Sequence, residues 1–411
     1  MSDASLLPNH AAGRCSQAPP RSIFFTTRGL EMTRYITSRT VVLSWRDGAM
    51  IADNYVTQRT TEINRDTLLI LDACTVGANV QQIRQALAGT GYETTISEVE
   101  EALELLVKSD LLVIVKGDFE PDPINANLSW SNWGTEAQYF HFSTKDTPYI
   151  ESSARESEYV SDILCGTQPP LFKRYPAAPR LPLPRCAPPS GIDFSKVLYQ
   201  RRTIREFEDT SITIEQLSRV LHMSFAPQQF IDAADFGILP MRNYANAGAR
   251  SEHEIYVNIL NVSNFDCGLF HYNGIERSLE FLAHPLTREQ IFYLTYEQPM
   301  CAAAAVVLFV TARVDRMGHK YRNPRALRAV YLDTGHLGQT FALVTIANGL
   351  GPWQTAAYRD SEVERVLGLD GIEEISLYCL GMGVPIISPV KEITPPASLR
   401  TYAKTTFFED F

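Results

Sequence analysis

Residues 330–353, VYLDTGHLGQTFALVTIANGLGPW, set the hardest constraint on this 411-residue chain. The run reads as one long, almost wholly apolar helix closed by glycine. A helix apolar nearly all round must be buried, either in a core or between subunits. Strand patterns flank it. MCAAAAVVLFVTARV precedes it as an alternating-to-continuous apolar strand, and EISLYCLGMGVP follows as another. Upstream, MRNYANAGARSEHEIYVNIL is a small-residue loop feeding a strand, and GLFHYNGIERSLEFL is a strand with a turn. The expected class is α+β, with helices around a mainly antiparallel sheet. A composition of 45% hydrophobic and 20% charged residues suits a core of that size.

The N-terminal half is organised differently. Residues 1–32 have no periodic pattern and are expected to be loosely held. In RTVVLSWRDGAMIA, apolar stretches flank Asp47-Gly48, a dipeptide suited to a tight hairpin turn. Helical patterns follow, with Val80, Ile83 and Leu87 on one face, then Val99, Ala102, Leu103, Leu106 and Val107 on another. The second helix is read as opening on a Ser97 and Glu100 capping box, and DLLVIVKG returns as a strand. Strands, short helices and a closing strand over 33–118 predict a winged-helix-like module. Residues 119–190 form a proline-rich connector holding NWGTEAQYFHFSTKD, a segment aromatic enough to pack on something. The large domain is then 191–411.

Charge excludes the obvious use of a winged helix. Lys plus Arg is 37 against 47 Asp plus Glu, a net charge of -10, and the third helix carries Glu98, Glu100, Glu101 and Glu104 against Lys108. That face repels phosphate, so nucleic acid is not the expected partner. A peptide added along a sheet edge fits better, with a purely structural appendage as the alternative. No apolar run reaches the roughly 20 residues that span a bilayer. The opening MSDASLLPNHAAGRCSQAPP has no positive end followed by an apolar stretch, so a cytoplasmic protein is expected. Seven scattered cysteines without C-x-x-C spacing suggest neither a disulfide framework nor a zinc site, and no metal is expected.

Several chemistry-bearing patterns are absent: no G-x-G-x-x-G after a strand, no P-loop, no H-E-x-x-H and no G-x-S-x-G. The histidines, His271 among them, are spread out and read as packed or capping residues. What stands out is LYQRRTIREFED, with Arg201, Arg202 and Arg205 around Thr203 ahead of the capped amphipathic helix SITIEQLSRVL. Guanidinium forks bind phosphate and carbonyl oxygens bidentately, which makes the cluster an anion cradle; a solvated basic turn is the plain alternative. Lys320 and Tyr321 form a second conspicuous pair, ahead of a basic run.

Taken in order, RRTIREF, the NAGAR loop, GLFHY, the Lys-Tyr pair, LDTGHLGQ, the GLG helix end and LGMGVP resemble the SagB-type azoline dehydrogenases, a branch of the FMN-dependent nitroreductase superfamily. The resemblance covers roughly 191–390 and extends more weakly to the winged-helix region, which is similar to peptide-recognition modules of enzymes that modify ribosomal peptides. It implies a nitroreductase-like FMN-binding fold, and an intertwined homodimer with FMN at the interface. Arg201, Arg202, Thr203 and Arg205 would hold the FMN phosphate and ring carbonyls. Asn246, Gly248 and Ala249 would lie along the isoalloxazine, and Gly351 and Gln354 would line its other side. The Lys-Tyr doublet is the family's signature of catalysis, so Lys320 and Tyr321 are the expected catalytic residues. Arg322 replaces the glycine usual after the doublet, and Asn246-Ala247 stands where serine or proline is common.

Turning a thiazoline or oxazoline into its azole removes one ring hydrogen as a proton and another as hydride, and the proton needs a base. A tyrosinate or a neutral lysine would serve, and the sequence leaves open which. The expected activity is azoline oxidation in a peptide natural product, with O2 reoxidising the flavin. Its partners would be a leader-peptide or carrier-bound substrate and a cyclodehydratase or peptide synthetase. The rivals are an NAD(P)H-dependent reductase of nitro compounds or quinones, another flavin-dependent peptide desaturase, and a scaffold that keeps a degenerate flavin fold.

Overall fold

The computed structural model describes residues 33–115, 130, 132–147 and 153–386. The segment 1–32, expected to be loosely held, lies outside the described residues. The chain divides into two compact units, 1–145 and 146–411, and the division falls inside the stretch read from sequence as a connector.

The first unit runs β1 (Arg34–Thr37), β2 (Val41–Arg46), β3 (Ala49–Asn54), β4 (Arg59–Ile63), α1 (Arg65–Ala73), α2 (Val80–Gly89), α3 (Ile96–Lys108), β5 (Leu112–Val115) and α4 (Gly134–Ser143). Asp47 and Gly48 make the hairpin between β2 and β3, both with positive φ (51° and 83°), as a two-residue turn of the right twist requires. β2, β3 and β4 form one antiparallel sheet, and β1 pairs with β5 in another. Ile83 and Leu87 of α2 and Val99, Leu103 and Leu106 of α3 are buried in one apolar cluster, the faces that periodicity selects. The N-terminus of α3 differs from expectation. The capping box is Thr95 with Glu98, not Ser97 with Glu100, because Thr95 keeps an extended backbone and its hydroxyl accepts the Glu98 amide while Ser97 is already helical. The aromatic segment becomes α4, which packs Tyr139 edge-on to Tyr55 at 5.7 Å.

The second unit opens with α5 (Ser153–Cys165), β6 (Arg180–Pro182), α6 (Phe194–Gln200), α7 (Ile214–Phe225), β7 (Gln229–Asp232), β8 (Ile238–Met241), β9 (His253–Ile259), β10 (Gly268–Asn273) and β11 (Ser278–Ala283). It continues with α8 (Arg288–Leu294), α9 (Pro299–Ala303), β12 (Val306–Arg313), α10 (Val314–Lys320), α11 (Ala326–Ala347), β13 (Gly351–Thr355), α12 (Asp360–Leu367) and β14 (Glu374–Gly383). A seven-stranded antiparallel sheet, in the order β13-β14-β12-β9-β10-β11-β6, is its frame. The α+β class and the antiparallel sheet surrounded by helices are therefore as expected.

Strand alternation splits the core into two layers. Ile255, Val257 and Ile259 of β9, with Val306, Leu308 and Val310 of β12, face α7 and α11. Tyr256, Val307 and Phe309 point the other way, toward Ile291 of α8, Cys301 of α9 and Val363 of α12. Two details correct the sequence reading. The apolar run read as one strand from Met300 begins as helix α9, since Pro299 fits a first helical turn, and only Val306–Arg313 is strand. The long helix starts at Ala326, earlier than read, and is not apolar all round within one chain: it buries Asp333 and Thr334 while exposing Tyr331 and Leu332.

Candidate functional site

The arginine-rich motif leaves α6 in extended conformation and is tied to β13 through Ile204 N–H, which donates to the Pro352 carbonyl at 2.8 Å. Beside it lies a cavity of about 660 Å³ lined by Arg202, Thr203, Arg205, Ile346, Gly351 and Pro352 among others. Gly351 is needed there because a Cβ would meet Ile204 Cγ1 at 2.8 Å and Pro385 Cβ at 2.9 Å. Arg201 stands apart from the other motif residues. It caps α6, is absent from the cavity lining, and its carbonyl accepts Arg202 Nη1 at 2.8 Å. The lining thus brings Arg202, Arg205 and Thr203 together with Glu206 and apolar walls, and the volume falls in the range of small-molecule sites. An elongated ligand with a phosphate at one end and a flat, partly apolar body at the other fits that donor set.

A second cluster forms where the NAGAR loop meets the end of α10. Gly248 has φ +59°, and a Cβ there would lie 2.5 Å from the Tyr321 hydroxyl oxygen. Ala249 also has positive φ. The loop is fixed by carboxylates: Asn246 Nδ2 donates to Glu252 Oε2 (2.8 Å) and to Asp333 Oδ2 (3.2 Å), and Ala247 N–H donates to Asp333 Oδ2 (2.7 Å). Lys320 ends α10 and Tyr321 caps it. The Tyr159 hydroxyl donates to the Lys320 carbonyl, and Arg322 pairs with Asp162. Lys320 Nζ lies 4.7 Å from the centre of the Phe236 ring and 5.4 Å from that of Tyr321. Burial, then the nearby Arg250 charge, pulls Lys320 below its ordinary range. Burial pushes Tyr321 up against the opposing effect of Arg250. Asp333 is pushed up to about 6, mainly by burial.

The structure therefore groups the expected site residues into two sets. Arg202, Thr203, Arg205 and Gly351 share the cavity, whereas Asn246, Gly248, Ala249, Lys320 and Tyr321 belong to the loop cluster. Gln354 joins neither directly; its Nε2 donates to the Gly338 carbonyl on α11 at 2.9 Å. Helix α11 links the sets, with Asp333 at the loop and Ile346 at the cavity. At the helical rise those two residues are about 20 Å apart.

Sequence reasoning did not single out the buried charges around this cluster: Arg250, Glu252 and Asp333. The available signal was a charged run, Arg250 to Glu254, at the start of a strand whose every residue is buried. Part of that run belongs to a separate ionic network on the sheet. His271 sits between Glu254 Oε2 and Glu280 Oε2, each at 2.9 Å. Arg316 Nη2 meets Glu254 Oε1 at 2.6 Å, while its other nitrogens donate to the carbonyls of Ser251 and Pro170. Lys173 Nζ reaches Glu374 at 2.7 Å, and Glu374 also accepts from Tyr256 and Thr311. Burial would lower His271, but its two carboxylate partners raise it to about 9. Burial would raise Glu254, yet Arg316 and His271 hold it well below the usual carboxylate range.

Residues 198–384 match the family model described as the Nitroreductase family. The match covers most of the second unit's sheet, so this part of the chain is similar to the nitroreductase family. A protein of Methanocaldococcus jannaschii named as a nitroreductase is 28% identical over 192 residues, which are 47% of this chain and 91% of that protein. Among solved structures, one named as a nitroreductase from Anabaena variabilis matches 86% of this chain and 80% of its own, at 16% identity and a TM-score of 0.48. The Escherichia coli microcin synthetase McbBCD complex with truncated pro-MccB17 bound matches 61% of this chain and 87% of its own, at 19% identity and a TM-score of 0.38. Among the described residues no helix is long and apolar enough to cross a membrane.

Proposed function

We propose that the chain is an FMN-dependent dehydrogenase that oxidises thiazoline or oxazoline rings to azoles in a peptide natural product, with O2 as the final acceptor. The observation that carries this reading is the Lys320-Tyr321 doublet set against the glycine of the small-residue loop, in a domain of a flavin-type family. Arg202, Thr203 and Arg205 would hold FMN, with Gly351 keeping one wall thin and Arg201 fixing the motif's turn. Asn246, Gly248 and Ala249 would lie along the flavin ring, and Gln354 would brace α11 behind it. When bound, FMN supplies the hydride acceptor.

The protein's own contribution is proton removal. Desolvation and the Arg250 charge shift Lys320 toward its neutral amine, the form that accepts a proton, while burial shifts Tyr321 toward the phenol, which can donate a hydrogen bond. Asp333 at the loop cluster and Ile346 at the cavity stand about 20 Å apart along α11, a spacing that suits a reaction centre built from the cavity of one chain and the loop cluster of a second. The exposed Tyr331 and Leu332 on α11 suit such a homodimer.

The first unit supports a peptide substrate. A cavity of about 340 Å³ runs beside Leu112–Val115, and among the described residues β5 is paired by β1 alone, leaving a strand edge for an added peptide. This winged-helix-like module would take a leader peptide or a carrier-bound chain delivered by a cyclodehydratase or peptide synthetase.

The test uses purified yellow protein. Lys320→Ala and Tyr321→Phe are expected to keep the flavin and lose flavin reduction by an azoline peptide; full turnover by both variants refutes the assignment. Replacing Arg202 and Arg205 with alanine is expected to release the flavin. A second reading, an NAD(P)H-dependent reductase of nitro compounds or quinones, is favoured by the family match and the archaeal relative. Rapid bleaching of the flavin by NADPH, with none by azoline peptides, would select it.

A further inference from the structure

Arg250 is 1% exposed, and its Nε, Nη1 and Nη2 have no hydrogen-bond partner among the described residues. A guanidinium stays protonated in a protein, and burying it unpaired costs several kcal/mol. Arg316 shows how this chain satisfies a buried arginine when structure is the purpose: at 2% exposure it makes an ion pair and donates to two carbonyls. Arg250 is left open, and so is Glu252 Oε1. The open guanidinium is within electrostatic reach of Lys320, Tyr321 and His319. Its loop is the one whose glycine meets the Tyr321 hydroxyl.

We propose that Arg250 is a substrate-binding residue that receives an acyl oxygen, so that the substrate carries a carbonyl or carboxylate on the same carbon that gives up its proton to the Lys320-Tyr321 pair. This rests on the azoline reading only for the identity of the ring. In the step served, the C–H bond breaks and its proton forms a new bond to the base of the pair. The electron pair moves into the bond toward the acyl carbon and onto its oxygen. Negative charge thus grows on that oxygen, where a buried, preorganised cation acts most strongly. The base of the pair gains the proton, the substrate becomes an enolate, and Arg250 meets the enolate oxygen. The vacancy on Arg250 is then the feature that selects acyl-bearing rings over bare ones.

Calorimetric titration of the flavin-loaded protein tests this, with pyrrole-2-carboxylate as a flat five-membered probe and pyrrole-2-carboxamide as its uncharged counterpart. The wild type is expected to bind the carboxylate about ten-fold or more tightly than the amide. Arg250→Leu should abolish that preference while keeping its flavin, and Arg250→Lys should retain part of it. Three results overturn the assignment: no preference in the wild type, an unchanged preference in Arg250→Leu, or loss of flavin from both variants, which would make Arg250 a cofactor ligand. If Arg250→Leu fails to fold, the Lys variant decides alone: a preference equal to the wild type's sinks the proposal. Should the wild type show the preference yet leave azoline peptides untouched, the Arg250 site stands and the azoline reading falls.

Discussion

Arg250, just before β9, and Glu254, within it, lie a few residues apart and are both almost out of solvent, but they live in opposite circumstances. Glu254 has Arg316, His271 and the Lys173 amide around its two oxygens. The Arg250 guanidinium has no hydrogen-bond partner among the described residues. Burial of charge alone therefore does not separate framework from working parts; satisfaction of the charge does. The paired network ties the 170–175 segment, α10 and five strands together. The unsatisfied group lies beside the doublet that the resemblance points to.

The largest effect should come from breaking the satisfied side. Arg316→Ala strands Glu254 and should cost about 3–5 kcal/mol in denaturant unfolding, whereas a loss under about 1 kcal/mol would mean the network is ornamental. Next comes pH. His271 is raised in the folded state to about 9 from the ordinary histidine value near 6.5, so its stabilisation is complete below the lower figure and fades as pH climbs through the upper one. Unfolding measured from pH 6 to 10 should show a decline worth about 3 kcal/mol that is missing in His271→Gln; identical curves would contradict the pairing. Arg250→Leu is expected to go the other way, raising stability by about 2 kcal/mol or leaving it level as the uncompensated charge disappears. A drop as large as that of Arg316→Ala would erase the contrast. At the bottom of the scale, Thr95→Ala removes one helix cap in the first unit and should cost about 1 kcal/mol, giving a yardstick for an ordinary contact.

How much of this was legible depends on the range of the interaction. Local rules worked where neighbours in sequence are neighbours in space: the Asp47-Gly48 turn, the buried faces of α2 and α3, the cap of α7 and the strands of the large sheet. They slipped where two adjacent signals competed, as with Thr95 against Ser97, or where a proline turned the start of an apolar run into α9. The ionic network was out of reach, since Lys173, Glu254, His271, Glu280, Arg316 and Glu374 are brought together only by strand pairing and a long crossing segment. His271 read as packed, and burial was the correct part of that reading; its charge was not visible. In the candidate site, the arginine motif and the Lys-Tyr doublet were visible as words in the sequence. The carboxylates and the guanidinium that surround the doublet belong to other words, and no spacing rule joins them.

The contact between Gly248 and the Tyr321 ring has a practical side for anyone recombining such enzymes. Because any side chain at 248 would occupy the space of the phenol, Gly248 cannot be exchanged while Tyr321 keeps its place. A graft that moves the doublet into a scaffold whose loop carries a side chain at this position should collide with it, so the doublet is best transplanted together with its loop.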